Sequence, residues 1–340
     1  MARAIELGSS VRTSTSPNPW VGAVILDASG EVAGEGATSP PGGGHAEVAA
    51  IAAAGERAKG ATLYVTLEPC AHEGRTGPCT KAILDSGVAR VVVGIADPDR
   101  AVNGRGLEQL RRAGVEVNHG VLASEVTEQL GPYLTHRRTG RPMVVLKLAM
   151  TLDGRIAAPD GSSKWITGQD ARRDAHRLRA ESDAVLVGAG TVRSDDPALT
   201  VRYLLPDDAG DARDDDSLAS SHLRQPLRVV LGAAPPAARL RPALEWEDSL
   251  ESLLDELGGR EVLQLLVEGG ALVAHSFHAA RLVDRYVFYV APALLGGSDG
   301  RAVFEGSGAP SLADAWRGEI ASVARLGQDL RIDVIAAPGQ

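Results

Sequence analysis

Cysteine is almost missing from this 340-residue chain, which has only Cys70 and Cys79. Two thiols cannot make the dense disulfide framework of a small secreted domain, and a chain of this length buries enough surface to do without one. Aromatic residues are 4% of the sequence, so the cores must rest on Val, Leu, Ala and Ile, and few rings remain for stacking on bases. Positive charge is also short: 35 Lys and Arg stand against 44 Asp and Glu, a net charge of −9. Such a chain repels phosphate backbones, so no nucleic-acid partner is expected, although a local basic site for one small phosphate is allowed. No run approaches the roughly 18 apolar residues of a membrane span. The first residues, MARAIELGSS, lack the apolar stretch of a secretion signal. No membrane partner and a cytoplasmic location are therefore expected. There are no internal repeats or heptads.

What is present reads as a globular α/β protein. The hydrophobic fraction is 44%, and the length suits two domains, each with its own core. The first part alternates strands over 21–26, 62–67, 90–95 and 115–117 with helices over 45–57, 78–85 and 107–112, the rhythm of an α/β/α sandwich. One amphipathic helix over 124–138 closes it. Thr139-Gly140-Arg141-Pro142 then breaks the helical pattern, which places a domain boundary between 1–141 and 142–340. The second part has strands over 143–148, 184–187, 227–231, 263–267 and 285–290, and helices over 170–181, 248–257 and 272–280. The aspartate-rich stretch 206–217 has no apolar run and reads as a solvated loop.

The strongest chemical signal is His45-Ala46-Glu47 followed by Pro69-Cys70 and Cys79. A hydrolytic zinc site needs three protein ligands and one open position for water. His45, Cys70 and Cys79 supply the three, and Glu47 is placed to shuttle the proton of a zinc-activated water, the arrangement of base deaminases. Cys79 follows Pro78 at a helix start, where the dipole favours the ligating thiolate. A purely structural zinc site is the bland alternative. The eight residues between the two cysteines depart from the general two-residue spacing.

The segments Thr15-Ser16-Pro17-Asn18-Pro19, Val21-Gly22-Ala23-Val24, His45-Ala46-Glu47 and Thr66-Leu67-Glu68-Pro69-Cys70, with His72, Gly74-Arg75-Thr76 and Pro78-Cys79, resemble the riboflavin-pathway deaminase family. The resemblance implies a cytidine-deaminase-like fold and a diamino-ribosylamino-pyrimidinone 5′-phosphate substrate, a phosphorylated pyrimidine that loses its 2-amino group. The longer spacing between the cysteines is a feature of that family. By the same resemblance Asn18, His72 and Arg75 contact the substrate. Asn18 as a plain turn residue and Arg75 as a solvated charge are the alternatives, and Lys81 reads equally as a phosphate contact or a surface lysine.

The second half resembles the riboflavin-pathway reductase family. The matching residues are Lys147-Leu148-Ala149, Thr151-Leu152-Asp153-Gly154-Arg155, Trp165-Ile166-Thr167, Gly190-Thr191-Val192, the run from Asp195 to Arg202, and Val267-Glu268-Gly269-Gly270. That implies a dihydrofolate-reductase-like α/β domain, NADPH as cofactor beside the zinc of the first half, and a homo-oligomer. Ala149, Trp165, Thr191 and Asp195 would contact the cofactor, together with Gly270, Ala271, Leu272, Val273, Ala274, His275 and Ser276. Ser163, Arg179, Leu199, Arg202 and Glu268 would hold the substrate, Arg179 and Arg202 as guanidinium forks for its phosphate. Strand-to-helix glycines suit a pyrophosphate, yet there is no GxGxxG fingerprint, and plain tight turns explain such glycines as well. Asp153 and Glu268 are acid–base candidates, or structural. Measured against the family, the chain is short between Val230 and Val267, so one strand is expected to be missing or reduced to coil. It also begins inside the expected first helix. A deaminase with a degenerate, non-catalytic second domain is the alternative reading.

Overall fold

The computed structural model describes residues 1–71, 77–99, 102–202 and 224–337. The chain divides into two compact units, Met1–Arg141 and Pro142–Gln340.

In the N-terminal unit, α1 (Ala2–Ser10) and the short α2 (Arg12–Thr15) precede a hairpin of β1 (Gly22–Leu26) and β2 (Val32–Ala37). Then follow α3 (Ala46–Ala54), β3 (Thr62–Leu67), α4 (Cys79–Ser86), β4 (Arg90–Ile95), α5 (Arg105–Arg112) and β5 (Glu116–His119). The five strands lie in the order β2-β1-β3-β4-β5, antiparallel through β1 and parallel from β3 to β5. Helices cover both faces at very close range, because small residues line the strands. A Cβ on Gly34 would lie 2.3 Å from the Ala50 carbonyl and one on Gly36 2.3 Å from that of Ala46, so these glycines let α3 press onto β2. On the opposite face, a Cβ on Gly22 would strike the Ala4 carbonyl in α1. Ile25, Leu63, Val65, Val91 and Ile83 are fully or almost fully buried in this unit, each worth about 1.5–3 kcal/mol of transfer free energy.

Two departures from the sequence expectations occur here. The hairpin strand β2 (VAGEGA) is invisible to propensity, since its glycines serve helix packing. The single helix expected over 124–138 is two, α6 (Ala123–Gln129) and α7 (Gly131–Thr139), because Gly131-Pro132 interrupts the run.

The C-terminal unit continues with β6 (Met143–Thr151), β7 (Arg155–Ala157), α8 (Gln169–Ala180), β8 (Ala184–Gly188), α9 (Ala189–Asp195), β9 (Leu227–Leu231), β10 (Leu244–Trp246), α10 (Leu250–Gly259), β11 (Gln264–Val267) and α11 (Ala271–Ala279). It ends with β12 (Arg285–Ala291), the two-residue β13 (Arg301–Ala302), β14 (Gly318–Leu326) and β15 (Asp329–Ala336). Eight strands form one sheet in the order β10-β9-β8-β11-β6-β12-β15-β14, parallel from β10 to β12, with an antiparallel hairpin at the end. β8 is apolar on both faces, and β6 and β11 are so apart from Lys147, Thr151 and Gln264, as suits strands between helical layers. The carboxyl ends of the parallel strands share one edge, where open α/β sheets bind ligands.

The strand expected to be missing after Val230 is present. β10 has three residues, pairs in parallel with β9, and is bridged again where Gly232 N–H donates to the Trp246 carbonyl. It escaped notice because Pro242 and Asp248 leave it so little length. The β14–β15 hairpin was also unanticipated, although its Gly327 has φ +62° in the turn. The stretch 206–217 lies outside the described residues.

Candidate active sites

In the N-terminal unit the ligand atoms converge from three elements. His45 is the N-cap of α3, Cys70 lies in the turn after β3, and Cys79 is the first residue of α4. His45 Nδ1 is 3.1 Å from Cys79 Sγ and 3.6 Å from Cys70 Sγ, and all three ligand atoms lie within 4.8 Å of one another. Tetrahedral zinc with ordinary Zn–S and Zn–N bonds puts its ligands roughly 3.5–3.8 Å apart, so the donor set and spacing fit that ion. A hydrogen bond from Cys79 lowers the pKa of the Cys70 thiol, and the same contact raises that of Cys79. A dication among them binds both as thiolates.

Glu47 stands in the first turn of α3 and is buried, and that burial pushes its carboxyl up to about 7. Asn18 is half-buried in the turn before β1, its backbone N–H bonded to the Thr15 carbonyl. Gly22 N–H donates to Thr66 Oγ1, so this turn lies at the same end of the sheet as the Cys70 turn. His72 and Arg75 lie outside the described residues. Lys81 pairs with Asp85 one helical turn away on an exposed face, the surface reading.

Glu68 is the residue that motif reading passed over. Its buried carboxylate accepts from four backbone N–H groups, those of Asp97 and Gly104 on one oxygen and of Gly106 and Leu107 on the other. It thus ties the turn bearing Cys70 to the start of α5. A Cβ at Gly106 would sit 1.9 Å from the Pro69 carbonyl, so the approach also requires that glycine. The available signal was an acidic residue ending an apolar strand.

In the C-terminal unit a cleft of about 1130 Å³ runs along the carboxyl ends of the strands, and a pocket of about 270 Å³ adjoins it. Lys147, Trp165, Thr191, Asp195 and Glu268 line both. Ala149, Ser163, Gly270, Ala271, Leu272 and Val273 line the cleft. Leu199, Arg179 and Arg202 line the smaller pocket. The cleft fits an extended dinucleotide. The N-terminus of α11 opens into it with no side-chain cap, and a Cβ on Gly269 would strike Val273 at 2.5 Å. The open N–H groups there suit a pyrophosphate.

Three of the expected cofactor contacts do not line the cleft. Ala274 is fully buried in the core, His275 packs against Gly306, and Ser276 bonds the Leu272 carbonyl. Only the first turn of a helix presents unsatisfied N–H groups, and these three residues lie beyond it. Ser163 falls on the cleft rather than in the smaller pocket. The expected fork of Arg179 is already engaged: Nε and Nη2 each donate to Glu268 at 2.9 Å, and Nη1 donates to the Thr200 carbonyl at 2.6 Å. Arg179 holds Glu268 as much as it meets any ligand.

Burial pushes the Glu268 carboxyl up, but Arg179 and Lys147, the latter 3.8 Å away, outweigh it and hold it down at about 2. Glu268 is therefore an ionised acceptor near neutrality. Asp153, the other acid–base candidate, is tied to the Thr151 hydroxyl and the Leu295 and Gly296 N–H groups and held at about 2, which makes it a loop anchor. Trp165 is half exposed with the Arg172 guanidinium stacked 4.5 Å from its ring, a wall rather than core packing.

The pocket also holds residues that were given no site role beforehand. Lys147 interrupts the apolar strand β6, and Arg172 and His176 share one face of α8 with Arg179 at spacings of four and three. Both patterns were legible. His176 is buried, and burial with the nearby Arg179 and Arg202 lowers it to about 3, so it stays neutral and accepts the Arg202 backbone N–H at Nδ1. The pocket as a whole is strongly basic.

A hydrolytic metal site and a dinucleotide cleft on one chain define a bifunctional enzyme. Residues 1–95 match the cytidine and deoxycytidylate deaminase zinc-binding region, and residues 142–332 match the RibD C-terminal domain. The riboflavin biosynthesis protein RibD of Escherichia coli is 40% identical over 367 aligned residues, covering 99% of this chain and 98% of that one. That of Mycobacterium tuberculosis is 42% identical over 344, covering 99% and 96%. A solved Acinetobacter baumannii RibD superimposes with a TM-score of 0.88 at 38% identity, covering 99% and 97%. A Thermotoga maritima diaminohydroxyphosphoribosylaminopyrimidine deaminase/5-amino-6-(5-phosphoribosylamino)uracil reductase does so with 0.84 at 33%. The chain belongs to the RibD family, with a cytidine-deaminase-like first unit and a dihydrofolate-reductase-like second.

Proposed function

We propose that this chain performs two consecutive steps of riboflavin biosynthesis. The N-terminal unit deaminates 2,5-diamino-6-(5-phosphoribosylamino)pyrimidin-4(3H)-one by hydrolysis. The C-terminal unit then reduces the ribosyl group with NADPH, giving 5-amino-6-(5-phosphoribitylamino)uracil. The observation that carries this reading is the pairing, on one chain, of a His–Cys–Cys cluster beside a buried Glu47 with a basic pocket opening into a dinucleotide-sized cleft.

His45, Cys70 and Cys79 would hold zinc, which supplies Lewis acidity and lowers the pKa of a water. Glu47 takes the proton from the attacking water and delivers it to the departing amino group, so that ammonia leaves and a carbonyl remains. Asn18, His72 and Arg75 hold the pyrimidine and its phosphate. Glu68 keeps the Cys70 turn in register.

In the second unit bound NADPH would supply the hydride, which adds to C1′ as the C1′–O4′ bond opens and O4′ takes a proton. Gly270, Ala271, Leu272 and Val273 would hold its pyrophosphate, with Ala149, Trp165, Thr191 and Asp195 as further contacts. Arg202 and the basic face of α8 receive the substrate phosphate. The ionised Glu268 accepts from ribose hydroxyls while Arg179 and Lys147 fix its position. Leu199 and Trp165 supply apolar walls that exclude water.

We place the enzyme in the cytoplasm, where the two free thiols stay reduced for metal binding. No helix among the described residues is long and apolar enough to cross a membrane. We also propose a homo-oligomer built through the second unit, because the edge strand β14 exposes Ile320 and Val323. Ile320→Lys would then reduce the mass seen by sedimentation.

The test is to give zinc-loaded protein the diamino substrate and NADPH, following ammonia and NADPH absorbance separately. Ammonia release followed by NADPH oxidation supports both assignments. Ammonia with unchanged NADPH, even on pre-deaminated substrate, would mean a degenerate second unit, although the complete β9–β10 edge and continuous cleft give that alternative no support.

A further inference from the structure

The cleft extends beyond the shared region along two flanks. One is formed by the segment around Ile156–Ser163 and the loop at Asp299–Glu305, the other by α9 with Leu231 at the end of β9. A dinucleotide whose pyrophosphate lies at the start of α11 must turn its nicotinamide towards Lys147 and Glu268, where cleft and substrate pocket meet. Its adenosine half then runs the opposite way across the sheet, over the ends of β8 and β9, which are the next strands in the order β9-β8-β11-β6.

Cations line the cleft in several places, but most are engaged. Lys147 pairs with Glu268, Arg172 stacks on Trp165 and donates to the Thr167 carbonyl, Lys164 lies over the Trp165 ring, and Arg301 pairs with Glu305. On the adenosine flank, among the described residues, the lining contains a single positive side chain, Arg193 of α9. It is exposed and has no hydrogen bond or ion pair within the described residues. Asp195, two residues further along, also lines the substrate pocket, whereas Arg193 does not. Asp195 is thus shared with the substrate pocket, while Arg193 belongs to the cleft alone.

We propose that Arg193 reads the 2′-phosphate on the adenosine ribose of the cofactor and so sets the preference for the phosphorylated dinucleotide over its unphosphorylated form. The inference rests on the cofactor reading above and deepens it. A guanidinium suits this task because its planar donors match phosphate oxygens, while a 2′-hydroxyl offers it little.

The experiment is calorimetric titration of the full chain with two half-cofactors, 2′,5′-ADP and 5′-AMP, neither of which reacts. The protein binds 2′,5′-ADP more tightly. Arg193→Ala weakens 2′,5′-ADP by about 10- to 100-fold and leaves 5′-AMP within about twofold, while Arg193→Lys restores part of the loss. An unchanged 2′,5′-ADP affinity in Arg193→Ala overturns the proposal and leaves the cofactor reading intact. Equal weakening of both probes also overturns it, since the residue would then shape the site without reading the phosphate. Failure of the unaltered protein to bind either probe overturns the proposal and the cofactor reading together.

Discussion

In the N-terminal unit three ligand atoms gather within 4.8 Å, supplied by residues 34 positions apart at most. In the C-terminal unit the polar groups are spread along a cleft of about 1130 Å³ and come from β6, α8, α9, β11 and the loops between them. Metal hydrolysis demands particular ligand types in a small volume, so its residues are few and irreplaceable. Hydride transfer takes its chemistry from the cofactor, so the protein contributes shape, charge and dryness through many residues of smaller individual weight. The same difference predicts how each unit fails.

The largest effects belong to the first unit. Cys79→Ala should lose bound zinc and reduce ammonia release to background, with metal content measured alongside. Glu47→Gln should retain zinc and lose about 10²- to 10⁴-fold in ammonia release. If Glu47→Gln instead loses zinc, the carboxylate is part of the metal site and the division of roles is wrong.

In the second unit the largest effect is on stability. Arg179→Ala leaves Glu268 ionised and buried with only Lys147 nearby, a change worth about 3–5 kcal/mol for a broken buried pair. Urea unfolding of this unit should show it, while zinc retention in the first unit stays as before. A loss below about 1 kcal/mol would place that pair in the class of solvated surface contacts.

Acid should separate the units further. His176 has its pKa lowered from 6.5 to about 3, so below pH 6.5 the unfolded chain takes up a proton that the folded unit refuses until about pH 3. Stability therefore falls as pH drops across that window and is level above it. Glu268, held at about 2 against an ordinary 4.5, contributes stability present above pH 4.5 and lost as pH falls towards 2. Both act in the same direction. Urea midpoints at pH 7 and pH 5 should differ, and His176→Gln should shrink that difference; an unaltered difference would exclude His176 as its source.

The smallest expected effect is local. Ser249 Oγ accepts from Ser252 N–H at the start of α10, away from both pockets. Ser249→Ala should cost about 1 kcal/mol, as for other lost N-caps, and leave both activities alone. A change in NADPH oxidation would show that α10 bears on the cleft.

The same contrast explains what could be read from the sequence. His45, Glu47, Cys70 and Cys79 were legible because each residue type is chemically required, and the fold brings the ligands together. Glu68 was not, because its role is to satisfy backbone N–H groups from a loop and helix some 30 to 40 positions away. The strands of the parallel sheets were legible from continuous apolar runs. β2 and β10 were not, the first because glycines needed for close packing mask its propensity, the second because three residues carry too little pattern. In the cleft the family resemblance implied contacts from Gly270 to Ser276, of which Gly270 to Val273 line the cleft and Ala274, His275 and Ser276 do not. It also treated Arg179 as a phosphate fork, although a buried carboxylate on another element had engaged that side chain.

The most direct test of two separate sites on one chain is NADPH oxidation by the Glu47→Gln protein supplied with pre-deaminated substrate. The account predicts a rate equal to that of the unaltered protein while ammonia release from the diamino substrate is lost. Parallel loss of both activities, with the protein folded and zinc retained, would contradict it.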